Sequence, residues 1–180
     1  MRRQSIATML QGGDRRSIGK SNHIAKLVLS DPQRYGELVE CLWHESPIVR
    51  MRAADAAEKV TVARPELLKS YKQELLGLLG ETEQIELRWH LALMVPRLEL
   101  TRPERERAAA TLQRYLEDRS SIVKTFALQG LADLARQDSN LREPALQALE
   151  ESLRTGTAAM KARARKLLKV LKSCGPFGSH

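Results

Sequence analysis

The sequence predicts an all-α chain built from stacked helix pairs, and three observations lead there. Leu38, Leu75, Leu112 and Leu149 recur every 37 residues, as do Leu42, Leu79, Leu116 and Leu153, with Ile48, Ile85 and Ile122 in a third register. A fixed period between about 20 and 50 residues marks an array of supersecondary units. Within each unit the apolar residues fall at helical spacing, and no run alternates with period two, so no strands are expected.

The elements follow in order. Residues 1–20 read as an exposed, partly disordered basic arm, because the apolar stretch Ile6 to Leu10 is short and Gly12-Gly13-Asp14 interrupts it. Arg2-Arg3-Gln4-Ser5 superficially matches a twin-arginine start and a basic-directed phosphorylation pattern, but the apolar stretch is too short for a signal peptide. Helices are then expected near 21–29, 31–44, 46–61, 65–80, 83–98, 102–117, 120–137, 141–155 and 157–172, which makes four pairs and a final single helix. In the second helix of the first pair, Leu38 and Leu42 lie one turn apart with Tyr35 and Val39 beside them. Leu68, Tyr71, Leu75, Leu76 and Leu79 repeat the pattern. Asp31-Pro32 and Ser46-Pro47 place a capping side chain before a proline at the first helical position, and Thr101 with Glu104 has capping-box spacing. The connections are short, so successive helices should pack antiparallel. Residues 173–180, with Gly175-Pro176, read as a tail.

Val49-Arg50-Met51-Arg52-Ala53-Ala54-Asp55-Ala56-Ala57 carries a Val-Arg-x-x-Ala-Ala pattern on the first helix of its pair. Leu87-Arg88-Trp89-His90-Leu91-Ala92, Val123-Lys124-Thr125-Phe126-Ala127-Leu128 and Ala162-Arg163-Ala164-Arg165-Lys166-Leu167 are weaker copies, and Pro96 falls late in its helix. In these features residues 21–172 resemble HEAT repeats, the helical-pair units of armadillo-like solenoids. The resemblance implies a right-handed α-α superhelix of about four HEAT-like pairs with a C-terminal capping helix. It also implies that Arg50, Arg88, Lys124 and Arg163 form a ladder joining units, with Glu45 and Glu83 available as partners.

Composition bounds the function. The chain has 180 residues, 42% apolar and 4% aromatic, with a net charge of +8. That charge sits at the ends: residues 1–20 carry +4 and residues 154–180 carry +7, while 21–153 carry −3. A polyanion partner is therefore expected only at the ends, through Lys161, Arg165, Lys169 and Lys172 on the last helix, with weak nucleic-acid binding. Two cysteines, Cys41 and Cys174, exclude a disulfide-built scaffold and a multi-cysteine zinc site, and suit reduced thiols in a cytoplasmic protein. No apolar run reaches the roughly 20 residues of a membrane helix, so no membrane insertion is expected.

Candidate catalytic features are weak. Trp43-His44 and Trp89-His90 do not occupy equivalent repeat positions, and neither histidine has a ligand companion at helical spacing. Gly19-Lys20-Ser21 has the ending of a phosphate loop, but Asp14 stands where the leading glycine belongs. No catalytic residue, metal or cofactor is expected. The expected function is a non-catalytic scaffold whose second helices present a curved, mixed-charge surface to another protein. That surface would comprise Arg34 and Glu37 on the first unit, Lys69, Lys72 and Gln73 on the second, Arg105, Arg114 and Glu117 on the third, and Gln147 and Glu150 on the fourth. The alternative by resemblance is nucleic-acid binding akin to the HEAT-like alkylpurine DNA glycosylases, which use a basic concave groove with aromatic residues and an acid. A third, cofactor-handling reading akin to the HEAT-like bilin lyases has less support.

Overall fold

The computed structural model describes residues 4–14 and 17–173, and among these all regular structure is helical. The helices are α1 (Ile6–Leu10), α2 (Ser21–Ser30), α3 (Tyr35–Glu40), α4 (Pro47–Ala63), α5 (Lys72–Glu81), α6 (Ile85–Met94), α7 (Arg102–Tyr115), α8 (Ser121–Ala135), α9 (Arg142–Thr155) and α10 (Ala158–Ser173). Single 3₁₀ turns flank α3 on both sides, a longer one precedes α5, and short ones follow α6 and precede α9. Each of the nine segments expected to be helical is helical, but the segment expected at 65–80 is 3₁₀ until Lys72 and the one expected at 31–44 is α-helical only over Tyr35–Glu40. The predicted tail falls outside the described residues apart from Ser173, the last residue of α10, and Cys174 is among the residues not described.

The helix ends follow from local chemistry. Pro32, Pro47 and Pro65 open their segments, where a missing N–H costs nothing. The capping box forms at α7: the Glu104 carboxylate accepts from the Thr101 N–H at 2.8 Å while the Thr101 side chain caps the first turn. Ser46, by contrast, makes no side-chain cap, so Pro47 alone marks that start. At Pro96 the α-helical pattern tightens into the 3₁₀ turn Val95–Arg97, since the proline ring cannot continue the i to i−4 ladder.

The chain divides into two compact units, Met1–Leu98 and Glu99–His180. In the first, α2 packs on α4 and α4 on α6, so the first helices of successive pairs form a row. In the second, α8 packs on both α7 and α9, and α10 packs on α8 and α9. Leu38, Leu75, Leu112 and Leu149 are all fully buried, each on the second helix of its pair. Leu42 and Leu79 are buried as well.

The core pattern also refines the register of the first helices. Val49, Leu87, Val123 and Met160 are buried, followed one turn on by Ala53, Leu91, Ala127 and Ala164, and lower down by Val60, Leu98, Leu134 and Leu171. The first helix of the third pair, α6, is thus offset by one residue from the strict period. Ile85 and Ile122 are both exposed, so the isoleucine series is an outward feature and not part of the core. Aligned on burial, Lys161 and not Arg163 is the equivalent of Arg50, Arg88 and Lys124. Arg163 instead matches Arg52, His90 and Phe126.

The N-terminal segment differs from the expected arm. Ile6 and Leu10 are fully buried, and α1 contacts α2, α3 and α4. The residues after it wrap around Arg52, whose side chain is only 1% exposed. The guanidinium donates to the main-chain carbonyls of Leu10 (2.8 Å), Gly12 (2.5 Å), Asp14 (2.8 Å) and Ser17 (3.1 Å). Gly12, Gly13 and Gly19 all have positive φ. At Gly19 a Cβ would lie 2.7 Å from the Arg52 guanidinium carbon, so only glycine lets the chain pass this close. A planar fork with five donors can collect several carbonyls where a point charge cannot. The buried charge is satisfied by main-chain dipoles, as a buried guanidinium requires.

Candidate functional site

The second helices carry the candidate surface, and the structure sorts its ten residues by what each side chain touches. Arg34 is buried, which removes it from any binding surface. Its guanidinium pairs with Glu37 at 2.7 Å and donates to the Gln4 carbonyl at 3.0 Å. Glu37 in turn accepts from the Ile6 N–H at 2.5 Å. Both residues hold the N-terminal segment, because α1 covers the face that sequence periodicity left open. Arg105 is half-buried between the Leu100 carbonyl (2.5 Å) and the Asp138 carboxylate (3.3 Å), and is likewise internal. Burial raises the Asp138 pKa, but the Asn140 and Arg105 hydrogen bonds outweigh it and hold the group below the usual aspartate value. Lys72 is half-buried.

The others face solvent: Lys69 and Gln73 on the second pair, Arg114 and Glu117 on the third, Gln147 and Glu150 on the fourth. Arg114 reaches the Thr111 hydroxyl at 3.3 Å, and Gln147 the Glu143 carboxylate at 3.1 Å. These are exposed contacts within one helix and leave the groups accessible. Positive, negative and amide side chains alternate along this set, with no run of one sign.

On α10 the cations separate in the same way. Lys172 pairs with Glu150 of α9 at 3.0 Å, and Lys161 is half-buried. Arg165 and Lys169 are exposed, as is Lys166, which the sequence reading did not single out.

Of the expected basic ladder, Arg50 and Arg88 make contacts at their turns. Arg50 donates to the Gln84 amide oxygen at 2.7 Å and to the main-chain carbonyls of His44 (2.7 Å) and Glu45 (3.0 Å). Gln84 also donates to the Pro47 carbonyl at 2.8 Å, closing a two-way tie between the start of α4 and the residue preceding α6. Arg88 donates to the Thr82 carbonyl at 2.8 Å. Glu45 thus contributes its main-chain carbonyl to the ladder, and the Arg88 bond runs to the carbonyl one residue before Glu83. Carbonyls that face the turn are acceptors fixed in place, whereas a flexible exposed carboxylate would lose side-chain entropy. Arg163 ties α10 to α8 through Gln129 at 2.8 Å and stacks on Phe126 at 5.2 Å.

The two Trp-His pairs part company. Trp43 is exposed, while Trp89 lies half-buried with its ring 3.4 Å from that of His90. His90 is fully buried with Nδ1 unpartnered, and burial pushes its pKa down to about 3, so the ring is neutral. Cys41 is buried and donates to the Glu37 carbonyl at 3.3 Å; burial, reinforced by Glu37 and Glu40, raises its pKa to about 11 and keeps it a thiol. Among the described residues no group of three or more His, Cys, Asp or Glu side chains is arranged to hold a metal ion, and no helix is long and apolar enough to cross a membrane. No protein-family model matches the chain, and no curated protein matches it.

Proposed function

We propose that this protein is a non-catalytic, HEAT-like scaffold that binds another protein along the outward faces of its second helices. One observation carries it. α5, α7 and α9 each bury the leucine of the 37-residue period, and a mixed-charge set faces solvent on them or just beside them: Lys69 in the turn before α5 and Gln73 on it, Arg114 on α7 and Glu117 just after it, Gln147 and Glu150 on α9. The repeated core makes each face a fixed platform, and interspersed signs suit a polar protein contact, where complementary charges set specificity. A polyanion would instead require a stripe of one sign.

The exposed cations Arg165, Lys166 and Lys169 favour a second, lesser activity, a sequence-independent contact to nucleic acid through α10. Affinity capture with the full chain, run with and without nuclease and read by mass spectrometry, tests the assignment. Protein recovery that resists nuclease and is lost from a Lys69→Glu, Arg114→Glu, Glu150→Lys variant supports it. Recovery that disappears with nuclease contradicts it.

A further inference from the structure

The first helices carry a site of their own, in the second unit. Where α8 and α10 lie side by side, their N-terminal halves leave an open groove of about 500 Å³. Ile122 and Phe126 of α8 and Ala159 and Ala162 of α10 form its apolar floor, and Arg163 and Lys166 stand on one wall. Ile122 is 42% exposed at the groove. No acidic residue lines the groove, and Lys166 has no ion-pair partner among the described residues. The whole of α10 carries six cations and no Asp or Glu.

The same place in the first unit has different chemistry. Between α4 and α6 the groove is smaller, about 290 Å³. There Glu86 lines the groove at the position equivalent to Ala159, and Arg50 is consumed by Gln84 and two main-chain carbonyls. Side-by-side packing of first helices therefore does not by itself make a cationic groove. Two alanines open it and two unneutralised cations charge it. The positive ends of α8 and α10 face the same region and add to the field.

We propose that the α8–α10 groove docks a peptide segment of a partner protein that combines apolar anchors with carboxylates. The anchor side chain fills the space over Ala159 and Ala162 against Ile122, and the flanking carboxylates meet Arg163 and Lys166. Arg163 is pre-oriented for this: stacking on Phe126 and the bond to Gln129 fix the guanidinium before any partner arrives. A peptide fits better than nucleic acid because the groove has a single aromatic ring, already occupied on one side by that guanidinium, and its other apolar lining is aliphatic. It fits better than a membrane because the apolar surface is concave. The site lies on first helices and stands apart from the second-helix surface proposed above.

The test is fluorescence anisotropy on the full chain with short fluorescein-labelled peptides that combine Leu or Phe with Glu. Their Glu→Gln and Leu/Phe→Ser counterparts are the controls. Saturable binding is expected. It weakens about tenfold with the Gln peptides and with an Arg163→Gln, Lys166→Gln protein, as the loss of two partly desolvated charge contacts implies. Ala162→Trp, which puts an indole into the groove that Ala162 lines, abolishes it. Circular dichroism melts check that each variant is folded; should Ala162→Trp unfold the chain, the Arg163, Lys166 variant and the peptide controls decide the matter. A Lys69→Glu, Arg114→Glu protein retains full peptide binding, which separates this site from the second-helix surface. Failure of every peptide to saturate, equal binding of the acidic and amide peptides, or tighter binding of duplex DNA or phosphatidylserine vesicles through Arg163 and Lys166 overturns the proposal.

Discussion

Replacing Arg52 by methionine should release the N-terminal segment from the first unit and destabilise the chain by about 1–3 kcal/mol, the cost of leaving a buried acceptor such as the Leu10 carbonyl without a donor. The magnitude follows from the geometry. Four main-chain carbonyls, from Leu10, Gly12, Asp14 and Ser17, accept from one guanidinium that is 1% exposed. Hydrogen bonds to charged groups contribute roughly 1.5–3 kcal/mol each when considered singly. They do not add fully here, because Gly12, Asp14 and Ser17 lie in an exposed loop whose carbonyls regain water once the arginine is gone. Methionine keeps much of the packing volume and removes only the donors. Arg52→Lys should recover little, since an ammonium has three donors and no planar fork. Urea unfolding followed by circular dichroism gives the global cost, and hydrogen exchange at residues 6–14 gives the local one. A loss below about 0.5 kcal/mol, the scale of an ordinary surface substitution, with α1 amides still protected, would refute the argument that Arg52 organises this segment.

Three further outcomes are expected. Leu112→Ala should cost about 2–5 kcal/mol in urea unfolding, since Leu112 is fully buried in α7; a cost under 1 kcal/mol, typical of an exposed site, contradicts the repeat register. His90, with a pKa near 3 in the fold against 6.5 for an unperturbed ring, takes up its proton on unfolding between those values. Its contribution to stability is complete above about pH 6.5 and is lost as pH falls toward 3, at up to about 1.4 kcal/mol per pH unit. His90→Phe should flatten the stability profile between pH 7 and 5; an unchanged slope would show that His90 is not the group responsible. Duplex DNA should bind weakly and without sequence preference, its affinity falling with salt at a slope of about 0.9 per neutralised phosphate. Charge reversal at Arg165, Lys166 and Lys169 should remove it, and tight binding that survives the reversal would place a nucleic-acid site elsewhere on the chain.

The helices and the buried leucines were readable from the sequence because both leave a periodic trace. Leucines every 37 residues and prolines at helix starts are local signals that packing then reinforces. The role of Arg52 left no such trace. It sits inside a run whose neighbour Arg50 is half-buried at the turn, and its partners are main-chain carbonyls, which any sequence supplies. α1 has only five residues, too few for a hydrophobic period to register, so Ile6 and Leu10 read as part of an arm until α1 is seen packed against α2, α3 and α4. The same short helix explains why Arg34 and Glu37, outward by period, became internal. The α8–α10 groove was hidden for a different reason. Ala159 and Ala162 are unremarkable residues, and their meaning appears only when burial aligns them with Glu86 and Trp89. That alignment needs the one-residue offset at Leu87, which the strict period concealed.

The most direct measurement of the second-helix faces is a hydrogen-exchange footprint of the full chain bound to the protein recovered by nuclease-resistant capture. New protection should concentrate on α5, α7 and α9, around Lys69, Arg114, Glu117, Gln147 and Glu150, with α2 and α4 unchanged. Protection confined to first helices, or to the exposed cations of α10, would contradict the claim that the second helices form the binding surface.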